Sequence, residues 1–403
     1  MRILLLTQIV PYPADSGPKI KTFNLLRHLA ERHDVHLVSF SRSPKEEDAA
    51  NELRRWCTTV DTIPLRRSRL LDIKTLAVAT LQHRPFLVDR DDSRLMRSHL
   101  ASLLRQYQFD AVHADQLTMG QFAVDLPIPL RVLDEHNAVW TIVRRAARQE
   151  GWGLRRIPAE LEWRKLKAYE GALCRSFDRV LVVSDGDRHD LELAAQSSLR
   201  TEVVPITVDT DEFEFEPPPM TARHVLSVAT MFYPPNVEGV DWFAREVFPS
   251  VRRNVNESRF FIVGSRPPAS ITRLGEGDSG ITVTGYVEDL TPYLRESAML
   301  VVPLHSGSGM RVKILEAFSR GIPVVATTIG IEGIDARHNE HLLVADGADA
   351  FAQAVVNILH DPIAARQRAT AARRLVEQQY DRRSALQAMD VLYPPARQAP
   401  ATV

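Results

Sequence analysis

The chain is poor in cysteine, with Cys57 and Cys174 the only two in 403 residues. Two thiols cannot make a disulfide framework, and neither sits in a metal-ligand spacing. Both are expected in the core of a protein of a reducing, cytoplasmic compartment. Long apolar runs are also lacking: no stretch approaches the ~18 consecutive apolar residues of a membrane span. The opening "MRILLLTQIV" is interrupted by Gln8 and followed by no small-residue cleavage site, so it reads as a first strand rather than a leader. Nor is there an excess of charge. Fifty basic against 51 acidic side chains leave a net charge of −1, which removes the electrostatic case for a nucleic-acid binder and leaves any polyanion to be met by local cations.

What the chain does contain is a rhythm. Apolar residues at 44% and charged ones at 25% are ordinary for soluble domains, and the length suits two domains better than one. Short β-branched runs alternate with helical patterns, the signature of parallel sheets covered by helices on both faces. Strands are predicted at 2–7, 34–40, 109–115, 130–136 and 179–184, and again at 224–230, 259–264, 281–287, 299–304, 323–328 and 341–346. Three prolines at 217–219 remove backbone donors and favour an extended join. The reading is therefore α/β, with two Rossmann-like doubly wound domains facing across a cleft. Residues 1–216 form the first and 217–378 the second, and a helix and tail at 379–403 pack back on the first. Ligands of such sheets bind outside the carboxyl ends of the strands.

The richest segment is "LHSGSGMRVKILEAFSRGIPVVATTIG", residues 304–330. A strand runs into a turn whose glycines, 307 and 309, let backbone approach a ligand. A short helix follows, with apolar residues at 310, 312, 314, 315 and 318, and Gly321 ends it. The unpaired N–H groups of a helix start favour an anion, and Arg311 and Lys313 add full charges beside them. Glu316 on the same helix would repel an anion, but a carboxylate suits the paired hydroxyls of a ribose. The bland alternative has Ser308 capping the helix, Arg311 and Lys313 solvated, and Glu316 paired with Lys313.

This segment resembles, position by position, the nucleotide-sugar motif of family 4 glycosyltransferases, retaining enzymes of the two-lobed GT-B fold and of the polysaccharide-biosynthesis type. The resemblance extends through "VPITVDTDEF" (204–213), "SVATMFYPPNVEGVDWF" (227–243) and "VTGYVEDLTPYLRESAMLVVPL" (283–304). It implies a hexosyltransferase working from a nucleoside-diphosphate sugar to a glycan or lipid-linked acceptor in cell-surface polysaccharide assembly. The 307–310 turn (Gly307, Ser308, Gly309, Met310) with Arg311 and Lys313 would hold the diphosphate, Glu316 the ribose, and Tyr286 and Val287 would flank the base through their backbone. Many members carry a first glutamate where this chain has Ser308, and many bear an Arg and a Lys after the first strand of the second lobe, where "TMFYPPNVEG" has no cation. Arg311 and Lys313 are expected to take over the diphosphate from a new position.

In the first half, Ser16 and Gly17 stand where the family places a loop against the donor phosphate, though an ordinary strand-to-helix turn would look the same. "LRVLDEHNAVW" sets His136 at a strand end, where the family has a histidine near the sugar; Glu135 beside it would orient the acceptor or cap the next helix. No D-x-D flanks a suitable strand, since "DTD" at 209–211 lies in the join, and no metal cofactor is expected. "WTIVRRAARQEGWGLRRIPAELEWRKLKAYE" (140–170) interleaves cations with three tryptophans. It suits either peripheral contact with an anionic membrane, placing the protein at the inner face of the plasma membrane, or a solvated helical face with its tryptophans packed inward. A nucleotide-sugar epimerase or hydrolase, or a non-catalytic binding protein, would share the same architecture.

Overall fold

The computed structural model describes residues 1–65, 67–149, 156–307 and 309–394. The chain divides into two compact units, Met1–Thr207 with Ala385–Val403, and Val208–Ser384.

The first unit is built on a parallel sheet of β1 (Arg2–Thr7), β2 (Asp34–Ser41), β3 (Thr59–Pro64), β4 (Ala111–Asp115), β5 (Leu130–Glu135), β6 (Arg179–Val182) and β7 (Thr201–Val203), in the order β3-β2-β1-β4-β5-β6-β7. Side chains alternate across a strand, and β1 is apolar at every position from Ile3 to Leu6, all of them fully buried. Ile3 and Leu5 enter one core with Val35 and Leu37, whereas Leu4 and Leu6 enter the opposite core with Val38 and Phe40. Each such side chain contributes ~1.5–3 kcal/mol on burial, and helices must therefore cover both faces.

The second unit repeats the plan with β8 (His224–Val228), β9 (Phe260–Val263), β10 (Ile281–Gly285), β11 (Ser297–Val302), β12 (Val324–Ala326) and β13 (Leu343–Val344), in the order β10-β9-β8-β11-β12-β13. Its core gathers Val225, Phe260, Ile262, Met299 and Val301 under Phe243, Phe248 and Phe351.

Seven helices matter below: α1 (Gly17–Ala30), α2 (Arg69–Leu81), α3 (Val139–Gln149), α4 (Arg156–Arg175), α5 (Pro234–Trp242), α6 (Val312–Arg320) and α7 (Gln387–Leu392). No helix among the described residues is long and apolar enough to cross a membrane.

Two differences from the sequence reading have clear causes. Strands β3 and β7 were not expected: both are sheet edges, β7 is only three residues long, and β3 carries part-exposed Asp61 and Thr62 and ends in Pro64. An edge strand packs less and so reads as less apolar. The first boundary lies at 207/208 rather than 216/217. Val208 bridges to Asp381, and the Asp381 carboxylate accepts the N–H (3.1 Å) and hydroxyl (2.6 Å) of Thr210, so 208–216 belong to the second unit. The three prolines at 217–219 also lie within that unit, against Ala298, Pro323 and Pro362. The chain returns to the first unit after Ser384. There Leu386, Met389 and Tyr393 are buried, and Asp390 of α7 meets His28 at 2.9 Å.

Candidate active site

In each sheet one place has neighbouring strands whose connections leave in opposite directions: β1 beside β4 in the first and β8 beside β11 in the second. These are the switch points at which doubly wound sheets open a crevice for ligands. Most of the candidate residues lie at the strand ends beside one or other of these points, and Tyr286 and Val287 do not.

After β11, residues 303–311 turn into α6. Gly307 (φ +100°) and Gly309 (φ +83°) adopt left-handed backbone that other residues rarely take. A Cβ on Gly307 would stand 3.1 Å from the Tyr233 hydroxyl and 3.5 Å from both the Arg311 guanidinium and Pro235, so the turn lies tightly against the start of α5. Met310 is buried beside it; Ser308 lies outside the described residues. Arg311 is the N-cap of α6, makes no side-chain cap bond, is 9% exposed, and donates to the Gly309 carbonyl.

Lys313, one residue into α6, donates from Nζ to the Val228 carbonyl (3.0 Å) and to Asn236 Oδ1 (3.4 Å), at the ends of β8 and α5. Burial and the adjacent Arg311 push its pKa down to about 8. Glu316 has its pKa raised by burial, against the pull of Arg320 and Lys313, and makes no hydrogen bond or ion pair among the described residues. Two elements of the bland reading therefore fail among the described residues, since Arg311 is not solvated and Glu316 is not paired with Lys313, while its third, a cap by Ser308, lies outside them. Gly321 (φ +77°) closes the helix. Tyr286 is 74% exposed and Val287 half-buried, just beyond Gly285 at the end of edge strand β10. They stand three strand spacings, about 14 Å, from β11.

The placement of this turn depends on α5. A Cβ on Gly239 would lie 2.2 Å from the Pro303 carbonyl oxygen. Alanine normally favours a helix over glycine by about 1 kcal/mol, but here the obstacle is backbone and the sign reverses. Gly239→Ala is expected to destabilise the protein by ~1–3 kcal/mol in urea unfolding.

In the first unit, Asp115 ends β4 and pairs in register with Asp134 of β5. Both carboxylates are buried and committed. Asp115 accepts from Thr22 Oγ1 (3.0 Å) and from His136 Nε2 (2.9 Å), and Asp134 meets Lys21 Nζ. His113 lies 3.4 Å from Asp134 through Nε2 and 2.8 Å from the Tyr393 hydroxyl through Nδ1. A carboxylate only accepts, so His136 Nε2 carries a hydrogen, and Nδ1 has no hydrogen-bond partner among the described residues. His113, Asp115 and Asp134 offer ligand atoms within 4.8 Å of one another, as no other described group does. Their oxygens already serve protein donors, and the Lys21 ammonium supplies the cation.

Ser16 is exposed and caps α1 without a side-chain bond, with Gly17 half-buried after it. Glu135, which was expected to orient the acceptor or cap the next helix, does not cap it. Glu170 accepts the Val139 (2.7 Å) and Trp140 (2.9 Å) N–H groups at the start of α3, and burial pushes its pKa up to about 8. Glu135 is fully buried, without a hydrogen bond; burial, then Glu170 and Asp134, raise its pKa well above the carboxylate range. Lys21, Thr22, His113 and Asp115 were missed. Their signal was polar residues toward the end of an otherwise apolar strand or facing it from the second turn of α1.

The described tryptophans of the basic strip pack inward. Trp140 is 1% exposed, Trp163 packs on the same core, and Lys167 and Arg164 stand 4.7 and 4.6 Å over their rings. These two rings follow the alternative reading, with tryptophans packed inward. Trp152 lies outside the described residues.

Comparisons with known proteins bear on the family and the fold. The model of "Glycosyltransferase Family 4" matches residues 20–212, and that of "Glycosyl transferases group 1" matches 222–361. An "Uncharacterized 44.6 kDa protein in cps region" of Klebsiella pneumoniae is 22% identical over 364 residues, 88% of this chain and 90% of its own. A GDP-mannose-dependent alpha-(1-6)-phosphatidylinositol monomannoside mannosyltransferase of Mycobacterium tuberculosis is 29% identical over 228 residues, 50% of this chain and 58% of its own. Among solved structures, sucrose-phosphate synthase from Thermosynechococcus elongatus superposes with a TM-score of 0.69 at 17% identity, over 98% of each chain. The two parallel Rossmann-like units are those of the GT-B fold, and the chain belongs to family 4 of the glycosyltransferases.

Proposed function

We propose that this glycosyltransferase moves a hexosyl unit, with retention of configuration, from a nucleoside-diphosphate sugar to a glycan or lipid-linked acceptor in cell-surface polysaccharide assembly. The observation that carries the reading is the tip of α6, where an uncapped helix start, two left-handed glycines, a buried arginine and a half-buried lysine converge at a switch point. The relative from a cps region supports the polysaccharide setting, and the GDP-mannose-dependent relative supports a nucleotide-activated donor.

In this reading Arg311, Lys313 and the 307–310 turn hold the diphosphate, Glu316 the ribose, Tyr286 and Val287 the base, and Ser16 and Gly17 the phosphate side of the first unit. The acceptor hydroxyl attacks the anomeric carbon on the face that the diphosphate leaves. The C–O bond to phosphate breaks as the new glycosidic bond forms, and a leaving phosphate oxygen takes the acceptor's proton. Two cations and the amide dipoles carry the departing charge, so the proposal includes no metal. His136, held by Asp115, presents Nδ1 to a sugar hydroxyl.

Incubation with GDP- and UDP-hexoses and a membrane-extract acceptor tests this. The expected result is a glycosylated product by mass spectrometry whose new linkage, by NMR, keeps the donor's anomeric configuration. Free sugar released equally with and without acceptor would identify a hydrolase, and donor binding without turnover a binding protein.

A further inference from the structure

Four aromatic side chains are exposed among the described residues, and three of them stand just past strand ends of the second sheet: Phe232 (59% exposed) and Tyr233 (42%) after β8, and Tyr286 (74%) after β10. The loop after β9 lies between them. It is tied to both neighbours, since the Met231 N–H donates to the Ser265 carbonyl at 3.1 Å and the Gly264 N–H to the Gly285 carbonyl at 3.0 Å. From that loop Arg266 sets its guanidinium 4.9 Å over the Phe232 ring.

Folding alone accounts for neither of two features of Arg266. Its backbone is left-handed (φ +54°), a conformation that strains most residues other than glycine, and such strain gathers at functional sites. Its side chain is exposed and, apart from the ring contact, has no hydrogen bond or ion pair among the described residues. Stacking occupies the flat face of a guanidinium. The N–H donors lie in its plane and stay free for the oxygens of a phosphate.

The ring belongs to the segment that meets the α6 tip. Tyr233, next to Phe232, has its hydroxyl 3.1 Å from where a Cβ on Gly307 would stand, and the Thr230 carbonyl accepts at 3.0 Å from Asn236, whose Oδ1 meets Lys313. This same segment, "TMFYPPNVEG", lacks the arginine and lysine that many family members carry after the first strand of the second lobe.

We infer that Arg266, held on the face of Phe232, is a third cation for the donor's diphosphate. The segment after β8 brings no charge of its own and instead supplies the ring that presents one from the loop after β9. The inference rests on the reading of the α6 tip as the diphosphate site.

The test is calorimetry of the full chain with UDP and GDP, followed by displacement of the tighter of the two by inorganic pyrophosphate, which has no base or ribose. Arg266→Gly is expected to weaken the nucleotide and pyrophosphate alike, by about tenfold at low salt, and the gap should narrow at high salt. Its urea midpoint should match wild type, because glycine takes this backbone without strain. Arg266→Lys should restore part of the affinity for both ligands. Phe232→Leu keeps the cation but removes its support and should cost a few-fold for both, whereas Phe232→Tyr should cost nothing. The inference is overturned if Arg266→Gly binds pyrophosphate like wild type; a loss confined to the nucleotide would make the pair a stacking face for the base. Wild type that binds neither UDP nor GDP would instead overturn the reading of the α6 tip, and this inference with it.

Discussion

Exchanging Lys313 for methionine is expected to weaken UDP or GDP binding by about a hundredfold at pH 7. A charge-assisted contact to phosphate in a partly desolvated site is worth ~2–4 kcal/mol, and Lys313 is held by two neutral oxygens, with no carboxylate partner among the described residues. The same residue sets a pH dependence. In the free protein its pKa is lowered to about 8, by burial first and Arg311 second, and a bound diphosphate would raise it again. Below about pH 7.5 the ammonium is already charged and the affinity should be level. As pH passes 8, binding must take up a proton, and Kd should rise by up to about tenfold per unit. Calorimetry in two buffers of different ionisation enthalpy would detect that uptake. Lys313→Arg, charged throughout, should flatten the profile. In the free protein the sign is opposite: a lysine whose folded pKa is depressed adds stability as pH rises from about 8 toward its ordinary value. A Kd that stays level from pH 7 to 9.5 in the wild type would remove Lys313 from the diphosphate.

The contrast between the two units shows what sequence could tell. The α6 tip lay in one contiguous stretch, where turn, cations and acid follow one another within a few residues, so spacing alone brought them together. The polar network of the first unit is drawn from α1, β4, β5 and the segment after α7. Asp115 and Asp134 become neighbours only because β4 and β5 pair in register, and Lys21 and Thr22 reach them only because α1 covers the same strand ends. Strand order is not written in spacing. The central strands were legible because burial on both faces makes them apolar at every position, whereas β3 and β7, paired on one side only, were not. The segment 69–81 is as apolar as a core helix, and only the fold shows that its aliphatic side faces out. The join at 217–219 misled for a related reason: consecutive prolines specify an extended backbone, which a packed segment inside a domain can also use.

Lys21→Met is expected to cost the first unit ~3–5 kcal/mol, because removing one partner leaves a buried carboxylate without its counter-charge. Lys21 is 3% exposed and Asp134 1%. Burial alone would raise Asp134, but Lys21 and then His113 hold it well below the usual carboxylate range. A depressed carboxylate contributes stability that is present above its unfolded pKa of about 4 and is lost as pH falls through the folded value. In the Lys21→Met protein the Asp134 carboxyl should titrate at higher pH, so the deficit relative to wild type should be full at pH 7 and shrink toward pH 4. Four of the five tryptophans lie in the first unit, so fluorescence-detected urea unfolding at both pH values reports mainly on the affected sheet. The double variant Lys21→Met/Asp134→Leu removes both charges and should recover most of the loss, as apolar replacement of a buried pair usually does. If both variants are equally unstable, the network is held by packing rather than by the ion pair. If Lys21→Met alone lies within about 0.5 kcal/mol of wild type, Asp134 is already neutral in the fold. The strand ends that present His136 would then be held by Asp115 and Thr22 without help from Lys21.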